Sequence, residues 1–180
     1  MTIRTKILKK LHKENIFVDI FTDLFTSSYY GYIRKFNDDL LLLEHYNDDG
    51  LYNGIVVFRT ADITRIKWDN NDINSTCKTI NKHNQGKKIL AIKIDSLEIA
   101  LKSIDGLYNH ITVSIQHLDN GMVIIGTIKE MDKETILIHE YGTRSSLDRG
   151  MLMLSINDIT RIDAGGTYEN GLMKVHQKKK

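Results

Sequence analysis

The chain has 180 residues, 41% hydrophobic and 27% charged, with Lys+Arg 25 against Asp+Glu 23. The resulting formal charge of +2 is too small to imply nucleic acid by itself, because binding domains of that kind concentrate a large basic excess on one face. One cysteine, Cys77, excludes an intramolecular disulfide and a cysteine-built zinc site, no run reaches the roughly 18 apolar residues of a membrane span, and Met1–Lys13 lacks the apolar core of a signal peptide.

These bounds lead us to expect a cytoplasmic protein of one or two small domains, without membrane contact. At the N-terminus, Ile3, Ile7, Leu8 and Leu11 fall at helical spacing while Lys6, Lys9, Lys10 and Lys13 turn elsewhere, which predicts an amphipathic helix. Phe17–Phe21 then reads as a half-buried strand. Tyr29–Phe36 reads as a second, in which Gly31 marks a sharp bend or a close backbone approach. Asn37-Asp38-Asp39 is turn chemistry leading into the apolar run Leu40–Leu43, and Gly54–Phe58 and Ile63–Ile66 supply a fourth and a short fifth strand. Residues 1–70 thus form a first unit, a helix followed by five strands.

Residues 71–88 are Asn-rich and polar and read as a linker, with Ile73, Cys77 and Ile80 on one side of a possible short helix. Residues 89–170 restart the pattern: Leu90, Ile94, Leu97, Leu101 and Ile104 give a helix with one apolar face, followed by strand-like Thr112–Ile115. Residues 171–180 read as a basic tail.

The restart is a repeat. Asp62–Ile66 and Asp158–Ile162 both spell DITRI, 96 positions apart. At an offset of 95, Ile16, Val18 and Ile20 fall on Ile111, Val113 and Ile115, Gly31 on Gly126, Leu40–Leu43 on Thr135–Ile138 and Tyr46 on Tyr141. One extra residue in the polar region 48–53 then brings Gly54 onto Gly150, a length change that a surface loop tolerates. Five short antiparallel strands per unit, curved at the glycine, predict a small closed barrel, which would leave no sheet edge open.

Gly31-Tyr-Ile33 followed by Asn37-Asp38-Asp39 and Leu40–Leu43, with Phe58-Arg59-Thr60 before the last strand, resembles the motifs of the Sm-like family of small barrels, which includes the bacterial host-factor RNA chaperone. The resemblance covers about 50 to 60 residues of each half. It implies two tandem Sm-like five-stranded antiparallel barrels, each preceded by a helix, in a mainly β protein; it also implies RNA as a partner and assembly into oligomers. The sequence departs from the family at the base-contacting positions. The asparagine is Leu41 and Ile136, and the Arg–Gly pair is Arg59-Thr60 and Ser155-Ile156. Apolar side chains there cannot hydrogen-bond a base edge, although stacking remains open.

The candidate nucleic-acid residues are Tyr32, Arg34, Lys35, Arg59, Arg65, Lys67 and Arg161, because cations beside aromatics can hold phosphates and stack bases. Each has a structural alternative: aromatics fill cores and join units, and Asp62–Arg65 and Asp158–Arg161 can be local ion pairs with Ile63, Ile66, Ile159 and Ile162 buried. Glu44-His45-Tyr46 and His139-Glu140-Tyr141 place carboxylate beside imidazole, but neighbours on a strand point to opposite faces and converge on no common atom. No nucleophile–base arrangement, phosphate loop or metal-ligand set is visible, so no enzyme, metal or cofactor is expected. Two readings remain: an RNA- or single-strand-binding module, and a protein-interaction module that joins itself or another chain by pairing strand edges.

Overall fold

In a computed structural model, the described residues are 1–22, 28–80, 86–142 and 149–177. The Asn-rich stretch 81–85 and the terminal lysines 178–180 lie outside them. The first unit runs α1 (Ile3–Lys13), β1 (Phe17–Phe21), β2 (Ser28–Phe36), β3 (Leu40–Tyr46), β4 (Tyr52–Arg59), a 3-10 turn at Thr60–Asp62 and β5 (Arg65–Lys67). After α2 (Asn71–Thr79) and α3 (Gly86–Ala91) the second unit runs α4 (Leu97–Tyr108), β6 (Ile111–Ile115), β7 (Asp119–Met131), β8 (Thr135–Glu140), β9 (Gly150–Ser155), a 3-10 turn at Ile156–Asp158 and β10 (Arg161–Ala164). Helix α5 (Thr167–Gln177) follows, and its Leu172 is buried.

Local chemistry explains the ends of the helices. The Thr2 hydroxyl accepts from the Thr5 N–H at the start of α1, and Ser96 does the same for Ile99 at the start of α4, each satisfying a donor the helix cannot. Asn109 ends α4 in the left-handed conformation, φ 59°. The single helix expected over Leu90–Ile104 is two helices separated at Ile92–Ser96, with Leu90 facing solvent and Ile89, Ile92 and Ile94 turned inward.

The repeat is evident in the backbone. Each unit has the same strand order, β5-β1-β2-β3-β4 in one and β10-β6-β7-β8-β9 in the other. Each breaks register at the same place, between Ile33 and Lys35 and between Ile128 and Glu130. The two repeat glycines do the same work: a Cβ on Gly31 would strike the Glu44 carbonyl, and one on Gly126 the His139 carbonyl.

The barrels expected from the sequence do not form. The ten strands of the described residues make one open antiparallel sheet, β5-β1-β2-β3-β4-β10-β6-β7-β8-β9. Closing the first unit would require β4 to pair within that unit, but its outer edge is taken by β10 of the other unit. Strand β5, three residues long, pairs among the described residues with β1 alone and remains the sheet's edge. The protein is mainly β with helices, as expected, but the hydrogen bonds that would have closed each cylinder join the two units instead.

Two cores lie on opposite faces of β3 and β4. Leu41, Leu43, Val56 and Phe58 pack with Leu8 and Leu11 of α1 and with Val18, Ile20 and Ile33. Their neighbours Leu40, Leu42, Ile55 and Val57 join the second unit's core, against Ile89, Ile92, Ile94, Leu101 and Ile104 and beside Ile162 and Ala164. A strand buried on both faces needs apolar side chains at successive positions, which explains the run Leu40–Leu43.

Candidate functional site

Most of the candidate nucleic-acid residues are occupied inside the fold. The Tyr32 ring packs against Phe17 and Tyr46, with centroids 5.1 and 5.9 Å away, and its hydroxyl lies 3.6 Å from Cys77 Sγ. Burial, with Cys77 as hydrogen-bond partner, pushes that phenol up to about 12. Arg34 donates from Nε to the Glu44 carboxylate and from Nη1 to Asn15 Oδ1 at 2.6 Å, with its guanidinium 4.9 Å from the Tyr32 ring. Lys35 donates to the carbonyls of Leu90 (2.8 Å) and Ile92 (2.6 Å), anchoring the segment between α3 and α4 onto the first unit.

Arg59 is a cross-joint clamp. Its Nε donates to the Ile159 carbonyl at 2.6 Å, and Nη2 to those of Ile156 (3.1 Å) and Asn157 (3.0 Å). Arg161 is also engaged at the seam: Nε meets Asp163 Oδ2 at 2.8 Å and Nη1 donates to the Tyr29 hydroxyl. The expected pairing of Arg161 with Asp158 is therefore replaced by Asp163, two residues along the same strand and on the same face. Asp62 accepts from His117 Nε2 of the second unit at 2.9 Å. Ile63, Ile159 and Ile162 are buried as expected, and Ile66 is half-buried.

Arg65 and Lys67 sit on the edge strand β5 with exposed side chains, both over the Phe21 ring at 4.3 and 4.7 Å. Lys67 is also paired in register with Asp19, a buried carboxyl that desolvation pushes up to about 6 against the opposing effects of the Ser28 hydroxyl and the Lys67 charge. The structure thus brings Arg65 and Lys67 together over Phe21 and Arg34 over Tyr32, and disperses Lys35, Arg59 and Arg161.

Glu44 is buried, accepts from the Tyr46 hydroxyl at 2.6 Å and from Arg34, and does not converge with His45, whose imidazole is packed near Tyr29 and held below its ordinary pKa by burial. Tyr46 and Tyr141 are both buried. Among the described residues, no group of three or more His, Cys, Asp or Glu is placed to hold a metal, and no helix is long and apolar enough to cross a membrane.

A different feature arises at the joint between the two units and at its counterpart on the far edge of the sheet. The joint is antiparallel, with Arg161 opposite Phe58, Ile162 opposite Val57, Asp163 opposite Val56 and Ala164 opposite Ile55. On the second unit, β9 is the copy of β4, yet among the described residues it pairs only with β8 and forms the far edge of the sheet. Ile55 and Val57 are 1% exposed, whereas their repeat partners Met151 and Met153 are 55% and 73% exposed. The partners of Leu40 and Leu42, Thr135 and Leu137, are only half-buried. Between them opens a groove of about 250 Å³ lined by Met131, Leu137 and Met153 with Glu130, Asp132 and Thr135. On the first unit the matching position is filled: Lys35 and Asn37 hold the backbone of Leu90–Ile94, whose isoleucines cover Leu42 and Val57. An unpaired strand edge beside an uncovered apolar face is the combination that accepts another polypeptide strand. Alternating methionines in Met151-Leu152-Met153-Leu154 were the legible signal, since a run apolar at successive positions predicts burial of both faces.

No family model matches the chain, and neither the curated proteins nor the solved structures include one that resembles it closely enough to be counted as similar.

Proposed function

We propose that the protein is a non-enzymatic interaction module that takes up a polypeptide strand along β9. One observation carries this reading: the β9 edge and its apolar face repeat, residue for residue, the β4 surface that this chain itself covers with β10 and the Ile89–Ile94 segment. The RNA reading draws less support from the geometry, because Arg34, Lys35, Arg59 and Arg161 already bond to protein acceptors; Arg65 and Lys67 are the pair on which it would rest. Kinship with the Sm-like proteins is likewise a proposal, supported by the Gly31 and Phe58-Arg59 motifs and by the shared strand order of the two units.

The test uses a fluorescent peptide of residues 158–166, the strand that occupies the β4 edge. The peptide is expected to gain anisotropy on the parent protein, with affinity reduced about tenfold or more in Met153→Lys, which puts an ammonium into the apolar face. A single-stranded RNA oligonucleotide is titrated alongside at low salt. Absence of peptide binding overturns the interaction reading; RNA binding whose affinity falls with salt, and which is lost in Arg65→Ala/Lys67→Ala, would establish the other.

A further inference from the structure

Resting on that reading, we propose that the strand accepted by β9 is β5 of a second copy of this chain, joined head to tail in the register of the internal joint. The two outermost strands of the sheet among the described residues are not arbitrary surfaces. They are β9, the repeat partner of β4, and β5, the repeat partner of β10, and β4 and β10 are the strands already paired inside the chain. Carrying the internal register across the repeat places Arg65 opposite Leu154, Ile66 opposite Met153, Lys67 opposite Leu152 and Trp68 opposite Met151.

Side-chain directions support that register. Residues directly opposite in an antiparallel pair share a face. In the internal joint Ile162 with Val57, and Ala164 with Ile55, face the shared core. In the external joint the same positions put Ile66 and Trp68 against Met153 and Met151. Trp68 and both methionines are among the exposed large hydrophobic residues, at 37%, 73% and 55%. Contact among them removes three solvent-facing apolar groups at once, with a thioether set against an indole ring. Arg65 and Lys67 project to the other face. The β5 edge also carries exposed Ile3 nearby, since the next residue, Arg4, bonds the Thr60 and Ile63 carbonyls that lead into β5.

The second joint is weaker than the first for an identifiable reason. Arg59, which clamps three carbonyls across the internal joint, is matched by Ser155, whose hydroxyl instead accepts from the Asn157 N–H. No covalent linker holds the partner edge close, so association depends on concentration. Because the two surfaces differ, each added copy leaves one edge of each kind free, and growth beyond a dimer is expected.

The experiment reads mass and Trp68 emission, the chain's single tryptophan, over a dilution series of the full-length protein. Mass is expected to rise with concentration while the emission shifts to shorter wavelength; Met153→Lys weakens association about tenfold or more, and Ser155→Arg strengthens it. In a Cys77→Ser background, Ile66→Cys and Met153→Cys proteins are then mixed and oxidised. Disulfide-linked species that need both partners establish the register. A Met153→Cys protein that cross-links to itself shows β9 pairing with β9 and overturns the head-to-tail arrangement while leaving β9 as the docking edge. A chain that stays monomeric with unshifted emission overturns the second copy as occupant, and the 158–166 peptide then decides separately whether β9 accepts a strand.

Discussion

Strands β3–β4 and β8–β9 are copies, yet they live in different surroundings. In β4, Ile55, Val56, Val57 and Phe58 are all within 1% of full burial; in β9, Met151 and Met153 look into solvent while Leu152 and Leu154 are half-buried. Both strands turn one face toward their own unit's helix, fully buried in β4 and half-buried in β9. The difference is the neighbour on the other face, which β4 has and β9 lacks. The side chains record it, isoleucine and valine where packing is rigid, methionine where it is open.

Deleting a side chain from the shared face should show the contrast most strongly. Leu42→Ala is expected to cost about 2–5 kcal/mol, because the cavity is enclosed by both units, while its repeat partner Leu137→Ala, half-buried, should cost about 1 kcal/mol or less; urea unfolding of both variants measures the gap. Equal losses would mean that β8–β9 is covered in solution.

The glycine pair tests the opposite, a feature on which the units agree. Gly31→Ala and Gly126→Ala each push a methyl into a backbone carbonyl of the adjacent strand, and each should cost about 1–3 kcal/mol in the same assay. Unequal effects would show that one bend is relaxed in solution.

The seam offers a third comparison. Removing the clamp in Arg59→Ala leaves carbonyls of Ile156, Ile159 and Asn157 without their charged donor, for a loss of about 1–3 kcal/mol, whereas Ser155→Ala at the matching position removes one short turn contact and should cost under about 1 kcal/mol.

A fourth comparison concerns the strand beside the outer edge and depends on pH. Burial raises the Asp19 carboxyl from 3.8 to about 6, so its protonated form favours the fold: that contribution is complete below 3.8 and is lost as the pH rises through 6. Asp19→Asn, neutral at every pH, should therefore unfold at a higher temperature than the parent at pH 7, with the difference shrinking toward pH 4. A difference independent of pH would mean that Asp19 is not titrating there.

Much of this fold was legible in the chain. The N-terminal helix, the first four strands of each unit and the correspondence between DITRI segments follow from periodicity, turn residues and repetition and appear where the sequence put them, whereas the fifth strands, expected at Ile63–Ile66 and Ile159–Ile162, begin two residues later, after 3-10 turns. The break between α3 and α4 is hidden in the sequence because Leu90 and Ile94 fit the rhythm of Leu97, Leu101 and Ile104, although Leu90 faces solvent and Ile94 packs with the other unit's Leu42 and Val57. The candidate cations were chosen as charges near aromatics, a test blind to acceptors far away in sequence; Arg59 and the Ile156 carbonyl are 97 residues apart.

Side-chain order along the chain therefore determined the local elements and their duplication, since helical and strand periods are properties of a few neighbouring residues. Which edges met was decided only in three dimensions. The N–H and C=O groups along β4 are the same whether its partner is β5 or β10, so no residue code selects between a closed barrel and a shared sheet. Burying Leu42 and Val57 against the second unit's core settled that choice for β4, and it left β9, built to the same pattern, as the outermost strand with no strand of the described residues on its outer edge.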